Sequence, residues 1–332
     1  MNVKIFSIDG RIEFAEKVVM EFNDCYTTGD YIDLGKVNIE QFSDGEITVQ
    51  FNEYVRGQKV FLICSTNNSD NIMKIMLAAD AARRASAEEI VAVLPYYGYS
   101  RQDRKDGLRG AVGAKVVANM LIANGVNRLI TIDLHAEQIQ GFFNIPVDHI
   151  SGWNIFLPEL KWMIDSGEIQ NPTLCSPDAG GVKRVNSVFK KLVASGFEDT
   201  TVVMFSKMRE KPNSVARLDL IGDVKNRDVI IIDDMVDTAG TLCGTAEEIM
   251  KAGASSVRAI ITHGVLSGPA LKRIHESKLT ELIISDTLLL YDPVPYNGEM
   301  EKIRVVSSSS EIARIIAAIT NKKSADLLKI KN

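Results

Sequence analysis

Residues 228–241 read DVIIIDDMVDTAGT, and this stretch decides the fold. Its first part, 229–232, is a continuous β-branched run, which is typical of a parallel strand covered on both faces. We expect the strand to end at Asp233 and a helix to run over 241–252, because Thr241 suits a helix start. Strand, loop and helix in this order form the repeating unit of an α/β sheet.

The loop at residues 237–241, DTAGT, has the size and chemistry of a phosphate site. In open α/β sheets, ligands bind beyond the carboxyl ends of the strands, where helix N-termini offer unpaired N–H groups to anions. Ala239 and Gly240 allow the backbone to approach a phosphate closely, and Thr238 and Thr241 add hydroxyl donors. We therefore expect this loop to bind a phosphate group.

Two acids, Asp233 and Asp234, lie between the strand and the loop. Their negative charges would repel a phosphate, but the two carboxylates suit sugar hydroxyls or a Mg²⁺-bound sugar. The alternative to a ligand site is an ordinary strand and turn with a capping Asp. The adjoining DTAGT loop favours a sugar-phosphate site over that alternative. The whole string closely resembles the phosphoribosyl-diphosphate (PRPP) binding motif of phosphoribosyltransferases and PRPP synthetases.

Length and composition indicate an ordinary globular protein of about two domains. The chain has 332 residues, 45% hydrophobic and 24% charged, with a net charge of −5 that gives no support for nucleic-acid binding. Its four cysteines form no C-x-x-C pair, so we expect neither a zinc site nor a disulfide framework, and a reducing cytoplasm. No signal peptide or membrane segment is expected, because charges interrupt every apolar run.

Apolar runs and helical spacing alternate along the rest of the chain. We expect strands at 3–8, within 35–49, and at 59–64, 90–94, 129–132, 172–176 and 201–205, with helices at 13–22, 71–84, 114–123 and 182–194 and from 309 onward. Residues 147–153 are predicted to be a linker, and 206–215 a polar segment without regular structure.

The two halves of the chain look like diverged copies of one unit. Residues 72–98 parallel 245–264, and residues 114–135 parallel 270–289. The alternating order predicts an α/β protein with two duplicated, doubly wound parallel-sheet domains. We place the domains at 1–150 and 151–308. The C-terminal helix, 309–332, could pack on either domain, and the first is one of the two options.

Five motifs occur in order along the chain: FSDGE at 42–46, RQDR at 101–104, DLHA at 133–136, SPDAGG at 176–181 and the string at 233–241. This combination resembles ribose-phosphate diphosphokinase over essentially the whole chain. The resemblance implies domains of phosphoribosyltransferase type and transfer of the β,γ-diphosphate of Mg-ATP to the C1 hydroxyl of ribose 5-phosphate. The products would be PRPP, which feeds nucleotide biosynthesis, and AMP. It also implies Mg²⁺ as cofactor and a homo-oligomer, a hexamer in the family.

The first two motifs are implied to bind ATP in the N-terminal domain. A guanidinium fork suits polyphosphate, and an aromatic face can stack on adenine. Without the resemblance, FSDGE would be a surface β-turn and RQDRKD a solvated charge run. The implied ATP-binding residues are Phe42, Asp44, Glu46, Arg101, Gln102 and Asp103.

The third and fourth motifs are implied to hold Mg²⁺ and diphosphate. By resemblance, His135 and Asp178 hold the ion, and Asp178, Gly180 and Gly181 form the diphosphate loop. Two sparse ligands suit Mg²⁺, which usually keeps several waters. A lone His is more commonly a satisfied structural residue, and we expect that role for His149 and His263.

The C-terminal domain is implied to bind ribose 5-phosphate and to carry the catalytic loop. Lys207 and Arg209 match the Lys-x-Arg of the family's mobile loop and, with His135, form the implied catalytic set; the alternative is a disordered connection. A cationic pair can neutralise the charge spread over a transferring phosphoryl group. The implied ribose 5-phosphate residues are Asp233, Asp234, Asp237, Thr238, Ala239, Gly240 and Thr241.

Two departures from the family pattern bear on subunit contacts and allosteric control. Residues 107–113 lack the usual Pro and Ser, and the loop at 65–70 is short. Two rival functions stay open: a phosphoribosyltransferase that consumes PRPP, and a catalytically silent regulatory homologue. The ATP-type motifs of the first half oppose the former, and the retained Lys207, Arg209 and His135 oppose the latter.

Overall fold

Two sheets, one fully parallel and one mainly parallel, organise this computed structural model, which describes residues 2–25, 31–105, 107–208, 217–290 and 300–321. The chain forms two compact units, one from Met1–Ser151 and Ser307–Asn332 and the other from Gly152–Val306. Among the described residues, no helix has both the length and the hydrophobicity needed to cross a bilayer.

The first unit contains a five-stranded parallel sheet whose strands lie in chain order, β1-β4-β5-β6-β7. Its elements are β1 (Val3–Ser7), α1 (Ile12–Cys25), β2 (Val37–Gln41), β3 (Ile47–Phe51), β4 (Lys59–Ile63), α2 (Ser69–Arg84), β5 (Glu89–Leu94), α3 (Gly113–Ala123), β6 (Arg128–Ile132), a 3₁₀ helix (Glu137–Phe142) and β7 (Val147–Ile150). Strands β2 and β3 form a separate antiparallel hairpin.

Burial explains why these segments are strands and helices. Leu62 and Leu94 of the sheet pack with Ile75 of α2 and Val117 of α3 in one buried cluster. Phe61 is also fully buried but is not a member of that cluster, as expected for a strand whose side chains alternate between two covered faces.

The predicted linker at residues 147–153 is wrong. Val147–Ile150 is β7, which pairs in parallel with β6, and Trp153 begins the next helix. Asp148 and His149 interrupt the apolar pattern because β7 is an edge strand, and only Ile150 of its four residues is buried.

The second unit contains a seven-stranded sheet with the order β10-β9-β8-β11-β12-β13-β14. Its elements are α4 (Trp153–Asp165), β8 (Pro172–Ser176), α5 (Val182–Val193), β9 (Thr201–Met208), β10 (Arg217–Ile221), β11 (Asp228–Val236), α6 (Gly240–Lys251), β12 (Ser256–Gly264), α7 (Ala270–Glu276), β13 (Glu281–Ser285) and β14 (Ile303–Val306). The last helix, α8 (Ser309–Asn321), packs on α1 of the first unit.

The predicted duplication is visible in the strand order. The parallel series β8-β11-β12-β13-β14 repeats the series β1-β4-β5-β6-β7. In the second sheet the chain first places β9 on one side of β8 and then returns to place β11 on the other. This reversal creates a switch point between β8 and β11, the usual location of ligand sites in open α/β sheets.

Two predicted boundaries near this point are wrong. Strand β11 does not end at Asp233 but continues to Val236, because β12 pairs with it as far as Gly264. Ser206–Met208, expected to lack regular structure, continues β9 and pairs with β10. The rest of that segment, 209–216, lies outside the described residues.

Candidate active site

The acid pair after the buried run of β11 is held by an arginine. Arg184, in the first turn of α5, donates from Nη1 to Asp233 Oδ1 at 3.2 Å, and its Nη2 lies 3.3 Å from Asp234 Oδ1. The Asp234 N–H also donates to Asp233 Oδ1 at 2.9 Å. Asp234 is almost fully buried, and Asp233 is partly exposed toward the strand end.

Burial and like charge perturb the titration of this pair. Removal from water, followed by the charge and hydrogen bond of Asp234, raises the pKa of Asp233 to about 7, and the Arg184 guanidinium opposes this rise. A cation or hydroxyl donor that approaches this carboxyl group stabilises its ionised form. The site is therefore prepared to receive a polar ligand.

The phosphate loop ends in a left-handed residue. Ala239 has φ 59° and ψ 5°, and α6 begins at the next residue, Gly240. A left-handed residue followed by a right-handed one turns successive N–H groups toward one point and makes an anion-binding nest. Among the described residues, no side chain caps α6, so its first N–H groups and positive dipole end are offered to a ligand.

The duplicated first half shows the opposite arrangement at the equivalent helix. The side chain of Asn68 caps α2 by accepting a hydrogen bond from the Asn71 N–H at 2.8 Å. The position that a phosphate would occupy at α6 is thus taken by a protein amide at α2. The two equivalent helices therefore differ in whether a side chain caps the N-terminus.

Two contacts from outside the loop fix its shape. The Ser267 hydroxyl donates to the Asp237 carboxylate, and the Ser267 N–H donates to the Asp237 carbonyl oxygen at 3.1 Å. Arg273, on α7, donates from Nη1 to the Thr238 carbonyl oxygen at 2.9 Å. Thr238 and Thr241 remain exposed at the loop surface.

The predicted diphosphate loop follows β8 at the same edge of the sheet. Ser176 Oγ donates to the Asp178 carbonyl oxygen at 2.6 Å, and the Gly181 N–H donates to Asp178 Oδ1 at 3.0 Å. A Cβ at Gly181 would lie 2.7 Å from Ser176 Oγ, so glycine is required there for close packing. Gly180 and the Asp178 side chain are exposed.

The second unit thus brings the predicted diphosphate and ribose 5-phosphate residues to the carboxyl ends of the adjacent strands β8 and β11. Lys207 lies on β9, which pairs with β8 on its other side, three residues beyond the last paired position, Met204. Its backbone therefore reaches the same edge. Arg209 lies outside the described residues.

In the first unit, the FSDGE motif forms the tip of the β2–β3 hairpin. The Gly45 N–H donates to the Phe42 carbonyl oxygen at 2.9 Å, and Gly45 has the positive φ of 95° that this turn requires. Asp44 Oδ1 accepts from the Glu46 N–H at 3.0 Å, so this carboxylate also shapes its own turn. Phe42 is 55% exposed, so its ring is accessible to a ligand or partner.

The RQDR motif follows β5, at the carboxyl edge of the first sheet. The Gln102 N–H donates to the Tyr99 carbonyl oxygen at 2.9 Å, and the Gln102 carbonyl oxygen accepts from the Ala114 N–H at 3.2 Å. These bonds attach the loop to the start of α3. Arg101 is exposed and Asp103 is partly exposed.

The DLHA motif follows β6, the neighbouring strand. The Leu134 N–H donates to His149 Nε2 at 3.0 Å, and the Gln140 side-chain amide lies 3.4 Å from His149 Nδ1. The hydrogen bond from the Leu134 N–H fixes the orientation of the His149 ring. His149 therefore supports the turn that presents the exposed His135.

Sequence reasoning did not identify Arg184 or Arg273 as supporting residues, and it did not predict which groups His149 contacts. The pair Lys183-Arg184 comes directly after the diphosphate loop in the first turn of α5, and this position was the available signal for Arg184. Arg273 lies in a helix of ordinary composition and carried no signal. Among the described residues, no three or more His, Cys, Asp or Glu side chains gather as a metal cluster.

Known proteins resemble this chain over nearly its whole length. The family model described as the N-terminal domain of ribose phosphate pyrophosphokinase matches residues 3–125, and that of the phosphoribosyl synthetase-associated domain matches 189–329. The ribose-phosphate pyrophosphokinase of Porphyromonas gingivalis is 41% identical, over 98% of this chain and 97% of the relative. That of Campylobacter jejuni is 42% identical, over 98% and 99%.

A solved structure extends the likeness to the fold. The phosphoribosylpyrophosphate synthetase of Mycobacterium smegmatis superposes with a TM-score of 0.83 at 30% identity, covering 97% of this chain and 100% of that one. The predicted fold class and the resemblance drawn from the five motifs are both confirmed. This chain belongs to the ribose-phosphate pyrophosphokinase family.

Proposed function

We propose that this protein transfers the β,γ-diphosphate of ATP to the C1 hydroxyl of ribose 5-phosphate, giving PRPP and AMP. The observation that carries the proposal is the end of β11, where an acid pair precedes an uncapped helix N-terminus with a left-handed residue at its start. Sugar hydroxyls suit Asp233 and Asp234, and a phosphate suits the loop at 237–241.

The proposed reaction is a direct transfer between the two substrates. The 5-phosphate binds at Asp237, Thr238, Ala239, Gly240 and Thr241, and the diphosphate passes over the loop that contains Gly180 and Gly181. The oxygen of the C1 hydroxyl attacks the β-phosphorus and its proton passes to water, the bond from the β-phosphorus to the bridging oxygen of the α-phosphate breaks, and AMP leaves. Positioning and charge neutralisation supply most of the catalysis of phosphoryl transfer, so no covalent intermediate with the protein is needed.

Lys207 and Arg209 are the cations that we assign to the transition state. Their side chains would neutralise charge that develops on the transferring diphosphate. Support comes from the β9 strand, which brings the Lys207 backbone to the edge shared by the two substrate loops. Arg209 follows two residues later in the sequence.

The residues of the second unit fit Mg²⁺. Magnesium prefers one or two carboxylates together with substrate phosphates and water, and Asp178 offers an exposed carboxylate beside exposed backbone. One oxygen of Asp178 accepts from the Gly181 N–H, which orients the group. When bound, the ion would supply charge neutralisation on the phosphates. The role of His135 as a further ligand stays a prediction.

We assign the nucleotide to the motifs of the first unit. Phe42, Asp44 and Glu46 of the hairpin, with Arg101, Gln102 and Asp103 after β5, form the proposed ATP-binding set. The exposed Phe42 ring supports adenine stacking. We also propose that the active form is a homo-oligomer located in the cytoplasm, where ATP is abundant and the four free cysteines remain reduced.

The test follows phosphorus atoms. The protein is incubated with Mg²⁺, ribose 5-phosphate and ATP labelled in either the α- or the β-phosphate, and a parallel sample omits the sugar. The proposal predicts equal amounts of AMP and PRPP, with the β-label in PRPP and the α-label in AMP.

The same experiment separates the rival functions. AMP formed without ribose 5-phosphate would indicate simple ATP hydrolysis, and no AMP in either sample would favour a regulatory homologue. Consumption of added PRPP with a nitrogenous base, in place of PRPP synthesis, would indicate a phosphoribosyltransferase.

A further inference from the structure

The acid pair of β11 shares one counter-ion, Arg184, which belongs to none of the five motifs. Its guanidinium meets Asp233 Oδ1 at 3.2 Å and Asp234 Oδ1 at 3.3 Å. The Arg184 side chain is 21% exposed and that of Asp234 6%, so the interaction lies largely out of bulk water. Screening by solvent and salt is therefore weaker there than at the protein surface.

The geometry of the pair depends on this contact. Consecutive strand residues ordinarily point to opposite faces of a sheet, yet Asp233 and Asp234 both reach one guanidinium. A guanidinium is a planar, rigid fork, so it fixes the directions of the two carboxylates relative to each other. Asp233 Oδ1 also accepts the Asp234 N–H, which leaves its Oδ2 as the oxygen directed away from these two contacts.

Charge makes the contact necessary. Two adjacent carboxylates that are withdrawn from water repel each other, and one of them takes up a proton when nothing offsets the charge. A protonated carboxyl group is a donor at one oxygen and a weaker acceptor at the other. Arg184 opposes that protonation at Asp233.

We propose that Arg184 is a positioning residue of the sugar site, which holds Asp233 and Asp234 aligned to accept hydrogen bonds from the vicinal 2- and 3-hydroxyls of ribose. This inference rests on the proposed function and adds a determinant of specificity to it. A site built to pair with a hydroxyl rejects the analogue that lacks it, because its buried acceptors stay unpaired. Arg184 therefore sets the preference for ribose 5-phosphate over 2-deoxyribose 5-phosphate.

The test measures binding of both sugar phosphates without ATP, by calorimetry, to the wild type, Arg184→Ala and Arg184→Lys. Lys190→Ala is the matched control, because it removes an exposed positive charge from the same helix, nearer its C-terminal end. Arg184→Ala should weaken ribose 5-phosphate at least about tenfold, the scale of one lost charge-assisted interaction, and weaken the deoxy sugar less. Arg184→Lys should restore part of the affinity, and Lys190→Ala should match the wild type.

A purely structural role for Arg184 predicts something else: equal weakening of both sugars together with a lower melting temperature. That result, or a ribose 5-phosphate affinity in Arg184→Ala equal to the wild type, would overturn the proposal. If Arg184→Ala does not fold, the Arg184→Lys variant provides the test. A lysine keeps the positive charge but lacks the planar fork, so Arg184→Lys must lower the ratio of the affinity for ribose 5-phosphate to that for 2-deoxyribose 5-phosphate.

Turnover tests the proposed function separately from binding. A wild type that binds ribose 5-phosphate with the expected preference but forms no AMP refutes the diphosphate transfer and leaves the role of Arg184 standing. A wild type that binds neither sugar phosphate refutes both.

Discussion

Arg273 reaches from α7 to the phosphate loop and donates a hydrogen bond from Nη1 to the carbonyl oxygen of Thr238 at 2.9 Å. The donor comes from a residue 35 positions away, so the loop depends on a neighbouring helix for its shape. A carbonyl that is held in this way keeps the following N–H groups directed toward the phosphate position.

We expect Arg273→Ala to raise the Michaelis constant for ribose 5-phosphate by about threefold to tenfold, the scale of one hydrogen bond, without affecting that for ATP. Steady-state kinetics with each substrate varied in turn measures this. Lys272→Ala is the control, because Lys272 is exposed on the same helix and forms an ion pair with Glu276, one turn further along it. Equal effects on the two substrates would show that Arg273 does not act through the loop.

Ala239 holds a left-handed conformation that L-residues adopt at a cost of about 1–2 kcal/mol. Ala239→Gly should therefore raise the free energy of unfolding by about 0.5–1 kcal/mol, part of the gain being lost to the greater entropy of unfolded glycine. Ala239→Val should lower it, since a β-branched residue tolerates positive φ least. Urea unfolding of the two variants checks the signs, and a destabilised glycine variant would contradict the left-handed geometry.

The raised pKa of Asp233 predicts a stability that changes with pH. Its pKa is about 7 in the folded protein and 3.8 as the ordinary value, so the folded state binds this proton more tightly than the unfolded state. The stabilising contribution is fully present below about pH 4 and is lost as pH rises toward about 7. Asp233→Asn removes this dependence.

Urea midpoints of the ligand-free wild type and Asp233→Asn, measured from pH 5 to pH 8, test this sign. The urea midpoint of the wild type minus that of Asp233→Asn should fall as pH rises. Asp165→Asn, which changes an exposed acid at the end of α4, should run parallel to the wild type. A difference that grows with pH would reverse the assignment.

Lys207 should affect rate far more than binding if it meets the diphosphate only during transfer. We expect Lys207→Ala to lower the catalytic constant at least about 100-fold, with small changes in both Michaelis constants. Lys225→Ala, which removes an exposed lysine of the same unit, is the control.

Arg209→Ala should behave like Lys207→Ala. The double variant should lose less than the product of the single losses, because the two cations would act on one developing charge. Near-normal turnover of Lys207→Ala would remove this residue from the mechanism and restore the regulatory homologue as a candidate.

Local sequence patterns predicted most of this fold but not the features that depend on contacts between residues distant in sequence. The β-branched run at 229–232 identified a buried strand, but only the ladder with β12 shows that the strand continues through two acids to Val236. Likewise, β7 was hidden because an edge strand with Asp148 and His149 lacks a continuous apolar signal. Hydrogen bonding to a neighbouring strand decided both cases, and it has no local signature.

The same distinction holds at the candidate site. The loop-to-helix geometry of DTAGT could be predicted directly, because a loop and the following helix N-terminus are contiguous in sequence. Arg184 could not, since its partner Asp233 lies 49 residues away and a basic residue in a first helical turn is common by itself. Motifs locate the candidate ligand-binding groups, and the residues that hold those groups are found from the folded structure.

The amide cap at Asn68 has a consequence for binding stoichiometry. A chain made of two similar halves contains two helices in equivalent positions, α2 and α6, but a phosphate at α2 would have to displace the Asn68 side chain from the Asn71 N–H. The equivalent turn at Ala239 carries no such obstruction among the described side chains. We therefore expect each chain to bind one equivalent of ribose 5-phosphate. The binding isotherm should show a single site per chain, although the chain contains two helices in equivalent positions.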